Sequence, residues 1–183
     1  MNIIKVIIRH SLAVFGLAWM VTCVLSCGTS KYASTIVGGE YVPDKNVTEY
    51  FVIPYGDVSL PGKWEKGEYL SNSRQQIFHN EDSVIVAVAF GQTNKFEFNH
   101  NGQLKGYDFV KAYYDWDSDY FEKAGYECKI IESEKSLSYI VWNVAGDKVD
   151  SYFLFGEKNG YFSNFSISTK IFIGNNIIKG NSL

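Results

Sequence analysis

Asp115-x-Asp117-x-Asp119 is the densest run of candidate metal ligands in the sequence. Alternate carboxylates of this kind open calcium loops, but the continuation does not suit one. The sixth position, where Gly makes the sharp turn, is Tyr120, and the twelfth, where a bidentate Glu closes the shell, is Tyr126. On a helix, Asp115 and Asp119 fall one turn apart on the wet face while Asp117 points elsewhere, which splits the ligands. His79 and His100 sit in or beside turn formers, and no His-x-x-x-His or Cys-x-x-Cys spacing accompanies them. Cys128 shares a strand face with Tyr126 and Ile130, the setting of a buried inert thiol, whereas a reactive thiolate needs exposed electropositive surroundings. Gly-x-Ser-x-Gly, a Gly-rich phosphate loop and Ser-x-x-Lys are missing from the sequence. The expectation is a protein that is not an enzyme and uses no metal and no cofactor.

The other sulfur that matters is Cys27, at the end of a leader. Lys5 and Arg9 open this leader, an uncharged run from Leu12 to Leu25 of about 14 residues follows, and Val24-Leu25-Ser26-Cys27 closes it. A basic start, an apolar middle and small residues at the end make a secretory signal over residues 1–26. The run is short of the ~20 apolar residues that span a bilayer. Val24-Leu25-Ser26-Cys27 resembles the lipobox of bacterial lipoproteins, with Leu25 where Ala or Thr is more usual. In that family the peptide is cut before the Cys, and its sulfur and new amino group receive fatty acyl chains such as palmitate. The resemblance implies lipidation at Cys27 and a lipid-anchored protein of the bacterial cell envelope. The alternatives are an ordinary cleaved signal and an uncleaved anchor. Related bacteria mark surface-exposed lipoproteins with acidic residues after the Cys. Gly28-Thr29-Ser30-Lys31-Tyr32 has none, so the domain is expected to face the periplasm.

Removing residues 1–26 from the 183 leaves 157, enough for one domain that buries about 68–70% of its unfolded surface. Without Lys5 and Arg9, 15 Lys/Arg oppose 20 Asp/Glu, a net charge near −5. That balance argues against nucleic acid or an anionic membrane surface as partner. Cys23 leaves with the leader and Cys27 carries lipid, so Cys128 has no disulfide partner and the core must hold the domain. Thirteen Tyr and 13 Phe supply that core with large rings.

The elements follow from periodicity. Residues 27–47, with Gly38-Gly39 and Pro43-Asp44, read as a tether with a reach of roughly 25 Å if flexible. A single domain is then expected over 48–183. Tyr50–Ile53 is a strand stopped by Pro54, and Val58-Ser59-Leu60 precedes a Pro61-Gly62 turn. Arg74–His79 and Ser83–Phe90 flank the turn formers Asn80-Glu81-Asp82 as a hairpin, whose second arm is apolar on both faces. After the turn at Asn99-His100-Asn101-Gly102, a helix is predicted over about Leu104–Ala124, with Gly125 as its stop. Phe109, Val110, Tyr113, Trp116, Tyr120, Phe121 and Ala124 share its apolar arc, and Asp117 breaks that arc. Strands at Tyr126–Ser133, Leu137–Ala145, Val149–Phe155 and Tyr161–Ser168, joined by short loops, make an antiparallel meander. Residues Ile171 to Leu183 are expected to fray after a short strand. The fold class is α+β: an antiparallel sheet of about 6–8 strands with one main helix across it. Asp82-Ser83-Val84, at the hairpin tip, matches a short Asp-Ser/Thr-aliphatic pattern of bacterial protein O-glycosylation.

In element order and in the segment Val58-Ser59-Leu60-Pro61-Gly62-Lys63-Trp64-Glu65, the stretch Thr48–Ser168 resembles the PsbP-like fold. That fold includes the photosystem II extrinsic protein, a Ran-binding relative and many small bacterial lipoproteins. Its members usually close with a second helix, whereas Ile171 to Leu183 is a poor helix former. No catalytic residues are defined for the family, so none carry over. The resemblance implies a non-enzymatic binding or assembly module for an envelope protein or glycan. A carbohydrate-binding lipoprotein, with Trp64 and Trp142 exposed on one face, is the first alternative, and an immunity or inhibitor protein is the second. Asp117 is a further candidate ligand contact.

Overall fold

Strand β7, Ile85–Gln92, is where the two halves of the core meet, because its alternating residues are apolar on both sides. The computed structural model describes residues 34–147 and 149–168, all but Ser34 within the unit Thr35–Leu183. The leader, Cys27 and the segment 169–183, with its expected fraying strand, lie outside the described residues. The other strands are β1 Ile36–Gly38, β2 Tyr41–Val42, β3 Val47–Ile53, β4 Gly56–Pro61, β5 Glu65–Leu70 and β6 Gln75–His79 before β7, then β8 Glu127–Glu134, β9 Tyr139–Gly146, β10 Val149–Lys158 and β11 Tyr161–Ser168. Helix α1, Gly106–Lys123, lies between β7 and β8.

Seven strands form one antiparallel sheet in the order β5-β6-β7-β11-β10-β9-β8. The hairpin and the meander are both present, joined by the insertion of β11 between β7 and β10. On one face α1 packs over β8, β9 and β10, burying Phe109, Val110 and Tyr113 against Ile140, Trp142, Val144 and Phe155. On the other face Val86, Val88 and Phe90 of β7 meet Tyr50 and Leu60 of a second, smaller sheet. Burying each such side chain is worth about 1.5–3 kcal/mol. Among the described residues the fold is α+β, with one α-helix and two antiparallel sheets of seven and four strands.

The small sheet corrects the expected tether. β3 carries β4 along one edge, while β1 and β2 share the other: Val37 pairs with Val52 and Tyr41 with Thr48. Folded structure therefore starts at Ile36, twelve residues before Thr48. Gly38-Gly39 reads as loop punctuation, but it is a site of close approach. A Cβ on Gly39 (φ 140°) would stand 2.1 Å from the Glu49 carbonyl oxygen. The Pro61-Gly62 turn passes the chain from small sheet to large. Thr48 pins this crossing: its hydroxyl donates to the Gly62 carbonyl (3.0 Å) and accepts from the Trp64 amide (2.9 Å).

Helix α1 is capped from both ends. Lys105 at its start offers no side-chain cap. The Glu157 carboxylate, at the end of β10, accepts from the Gly106 amide instead, a negative group at the positive end of the helix. At the other end Gly125 (φ 87°) donates to the Glu122 carbonyl and the Tyr126 amide to that of Phe121, with the Phe121 and Tyr126 rings in edge contact. This is a Schellman stop. The loop before the helix is held by Asn99, which is buried, donates to the Thr93 and Leu104 carbonyls and accepts from the Leu104 amide.

Candidate functional site

Among the described residues, a cleft opens where β1 and β3 of the small sheet stand off from β5, β6 and β7. Its volume is about 500 Å³, inside the ~300–1,000 Å³ range of small-ligand sites. Its position on β5 depends on an irregularity. Lys66 pairs with Phe78 and Tyr69 with Gln76, a register shift that spends one extra residue between them. Strict alternation would send Tyr69 to the face opposite Lys66; the bulge returns it to the same side. Gln76 is almost fully buried and holds the bulge, donating from Nε2 to the Gly67 carbonyl at 2.8 Å.

Tyr50, Tyr55, Tyr69 and Phe90 supply rings to the wall. Tyr50 packs edge-on to Phe78 at 5.2 Å, and burial, with Tyr69 as a lesser cause, raises its pKa, so its hydroxyl stays protonated. The Lys66 ammonium sits 5.7 Å above the Tyr50 ring, a cation–π contact. Arg74, from the turn between β5 and β6, and Lys95, just after β7, bring two more positive charges. Among the described residues that line it there is no carboxylate.

A second, shallower groove of about 380 Å³ lies beyond Tyr55, between β4 and the ends of β9 and β10. Tyr55 lines both cavities, and its ring stands 5.5 Å from that of Tyr161. Here charges are mixed: Asp57, Glu157 and Lys158 all line the groove, and Glu157 is already committed to the start of α1. The cleft is the better defined site.

The residues singled out from sequence do not gather there. Asp115 pairs with Lys111 and Asp119 with Lys123, each one helical turn away, while Asp117 is buried on the opposite side of α1. Helix α1 runs unbroken through Asp117, which is 4% exposed and not without a partner. Its charge contributes to raising the pKa of Tyr113 and of Cys128, although burial is the larger cause for each. The Cys128 thiol is pushed up to about 11 and donates to the Ser118 carbonyl, the setting of an unreactive thiol. Asp117→Asn should lower stability by about 1–3 kcal/mol, because it puts an amide donor where a buried carboxylate is accommodated. It should leave the cleft unchanged, since α1 covers the other face of the large sheet. Thermal melting checks the first part, and an unchanged melting temperature would count against it.

Trp142 and Trp64 do not form the exposed pair expected of a stacking site. Trp142 is fully buried under α1, stacked on Phe153 at 4.6 Å, and Trp64 packs against the core of the opposite face with its Nε1 donating to the Pro61 carbonyl. Alternation along a strand says which face a ring takes; it does not say whether that face is covered. His79 ends β6, and His100 lies exposed in the loop before α1, its Nδ1 3.4 Å from the Glu97 carbonyl. Ser83 is exposed at the hairpin tip, which Asn80 organises by accepting from the Asp82 and Val84 amides. Lys66, Tyr69, Arg74 and Lys95 carry no motif, and only the basic residues in an acidic chain hint at them.

No family model and no curated protein matches the sequence. Among solved structures, the solution structure of cyanobacterial PsbP (CyanoP) from Synechocystis sp. PCC 6803 is similar to this chain, with a TM-score of 0.39 and 14% identity over 79% of this chain and 85% of that one.

Proposed function

We propose that this is a lipid-anchored, non-enzymatic binding module of the bacterial cell envelope, and that its ligand occupies the cleft between the two sheets. The observation that carries the binding role is the cleft itself: a ring-lined volume with three basic side chains and no carboxylate among its described lining residues. The anchor rests on the leader and on Val24-Leu25-Ser26-Cys27. Among the described residues no helix is long and apolar enough to cross a membrane.

Three experiments test the reading. Cys27→Ala should abolish acyl labelling and leave the chain uncleaved or shed into the soluble fraction; labelling that persists rules the anchor out. One acyl chain holds a protein to a membrane only marginally, so the expected signal is the multiple acylation of the lipoprotein pathway. Protease added to intact cells should spare the domain if it faces the periplasm. For the binding role, a photo-crosslinking residue at Tyr69, exposed in the cleft, should capture a discrete adduct in cells. The same group at Tyr152, exposed on β10 outside both cavities, should not. Equal capture at both positions would remove the cleft from the proposal.

A further inference from the structure

We propose that the cleft recognises an acidic saccharide, a sugar ring bearing carboxylate, phosphate or sulfate. The inference rests on the export reading above, because an exported domain meets acidic glycans in the envelope.

Charge carries the first half of the argument. The chain without its leader has a net charge near −5, yet the cleft gathers Lys66, Arg74 and Lys95 with no carboxylate among its described lining residues. Of the lysines elsewhere on the described surface, Lys45, Lys111 and Lys123 pair with an acid four residues away, while Lys63, Lys105, Lys129, Lys135 and Lys158 carry no ion pair. Among the described residues Lys66, Arg74 and Lys95 have no ion-pair partner. Like charges brought to one concave site repel, and a bound anion offsets that repulsion where low-dielectric walls focus the field.

Shape carries the second half. Tyr55 and Tyr69 bring part-exposed aromatic rings, a type that suits the C–H face of a pyranose, and Gln92 adds an amide for its hydroxyls. Tyr50 and Phe90 are nearly fully buried, so these two walls are formed before any ligand arrives. At about 500 Å³ the space is far larger than a bare inorganic anion and suits a short oligosaccharide. Arg74 matches carboxylate or phosphate in a bidentate manner, while Lys66 and Lys95 act as point charges.

The test is a panel of uronate-, phosphate- and sulfate-bearing oligosaccharides, each beside its neutral counterpart, with inorganic phosphate alone as a further arm. Binding to the full chain in detergent is measured for the wild type and for Lys66→Gln, Arg74→Gln and Lys95→Gln, singly and together. The expected result is binding of one acidic class over its neutral counterpart, weakened by added salt and by roughly tenfold for each cation removed. All three positions are exposed, so the variants should melt within a few degrees of the wild type. Four results overturn the proposal: no binding across the panel, equal binding of neutral sugars, acid-selective binding that survives the triple variant, or phosphate alone binding as tightly as any acidic sugar. The anchor reading fails separately, through persistent acyl labelling of Cys27→Ala.

Discussion

Trp142→Ala should destabilise the domain by about 3–5 kcal/mol, the range for removing a large aromatic ring from a core. Trp142 is fully buried at the centre of an aromatic cluster, stacked on Phe153 and edge-on to Tyr114, Phe121 and Phe155 at 5.3, 5.9 and 5.4 Å. Those rings come from α1 and β10, so the cavity would open at the seam between helix and sheet, where relaxation cannot close it without displacing the helix. For a domain of this size each kcal/mol is worth about 2–4 °C in melting temperature, so a fall of about 10 °C is expected. Trp142→Phe is the informative companion. The indole Nε1 is buried without a hydrogen-bond partner, so losing it forfeits no bond and removes a polar group that costs roughly 1–3 kcal/mol to bury unmade. The Phe variant should therefore retain most of the stability. If Ala and Phe cost the same, ring packing is not what Trp142 contributes.

Gly39→Ala should detach β1 from the small sheet and with it one wall of the cleft. A Cβ at this position would meet the Glu49 carbonyl oxygen at 2.1 Å and the Tyr50 Cα at 2.6 Å. Both are backbone atoms of β3 and cannot swing aside, and a φ of 140° is strained for any side chain. Held in place, the clash and the strain together cost several kcal/mol by the usual scale of overpacking and backbone strain. The cheaper response is local: β1 is a three-residue edge strand, so it unpairs before the core gives way. Thr35 and Val37 leave the cleft wall with it. The expected readout is faster amide exchange in β1 and at Phe51 and Ile53 of β3, whose amides face β1, with loss of cleft binding and a small change in global melting. Gly67→Ala is the control, since its Cβ would find nothing nearer than 3.5 Å. Protected amides in β1 of Gly39→Ala would show that the strand does not depend on this close approach.

Helix α1, the β6–β7 hairpin and the closing meander were legible because each rests on a local period. Residues three or four apart share a helix face, and alternate residues share a strand face, whatever the rest of the chain does. The same logic exposed Asp117 as the one carboxylate on a buried arc and put Cys128 on one strand face with Ile130, a face that the structure packs against the helix-side core. It also identified β7 as a strand covered on both sides, which the helix-side and small-sheet clusters now account for.

Partner choice was not legible. Nothing in β11 says that it inserts between β7 and β10 rather than closing the sheet at an edge, because a period of two is satisfied by any neighbour in register. The segment 36–42 looks like a tether since its strands are two and three residues long, and their pairing to β3 is supplied by a close approach at Gly39. The cleft has the same origin. Lys66 and Tyr69 share a face only through a bulge, and Arg74 and Lys95 arrive from a turn and from the end of another strand. The sequence by itself determined the helix, the β6–β7 hairpin and the closing strands and which side of each is apolar, since these follow from short-range geometry, but not β1, β2 or β5. Only the tertiary structure decided which faces are covered and which basic residues converge, because both depend on contacts between residues far apart in the chain.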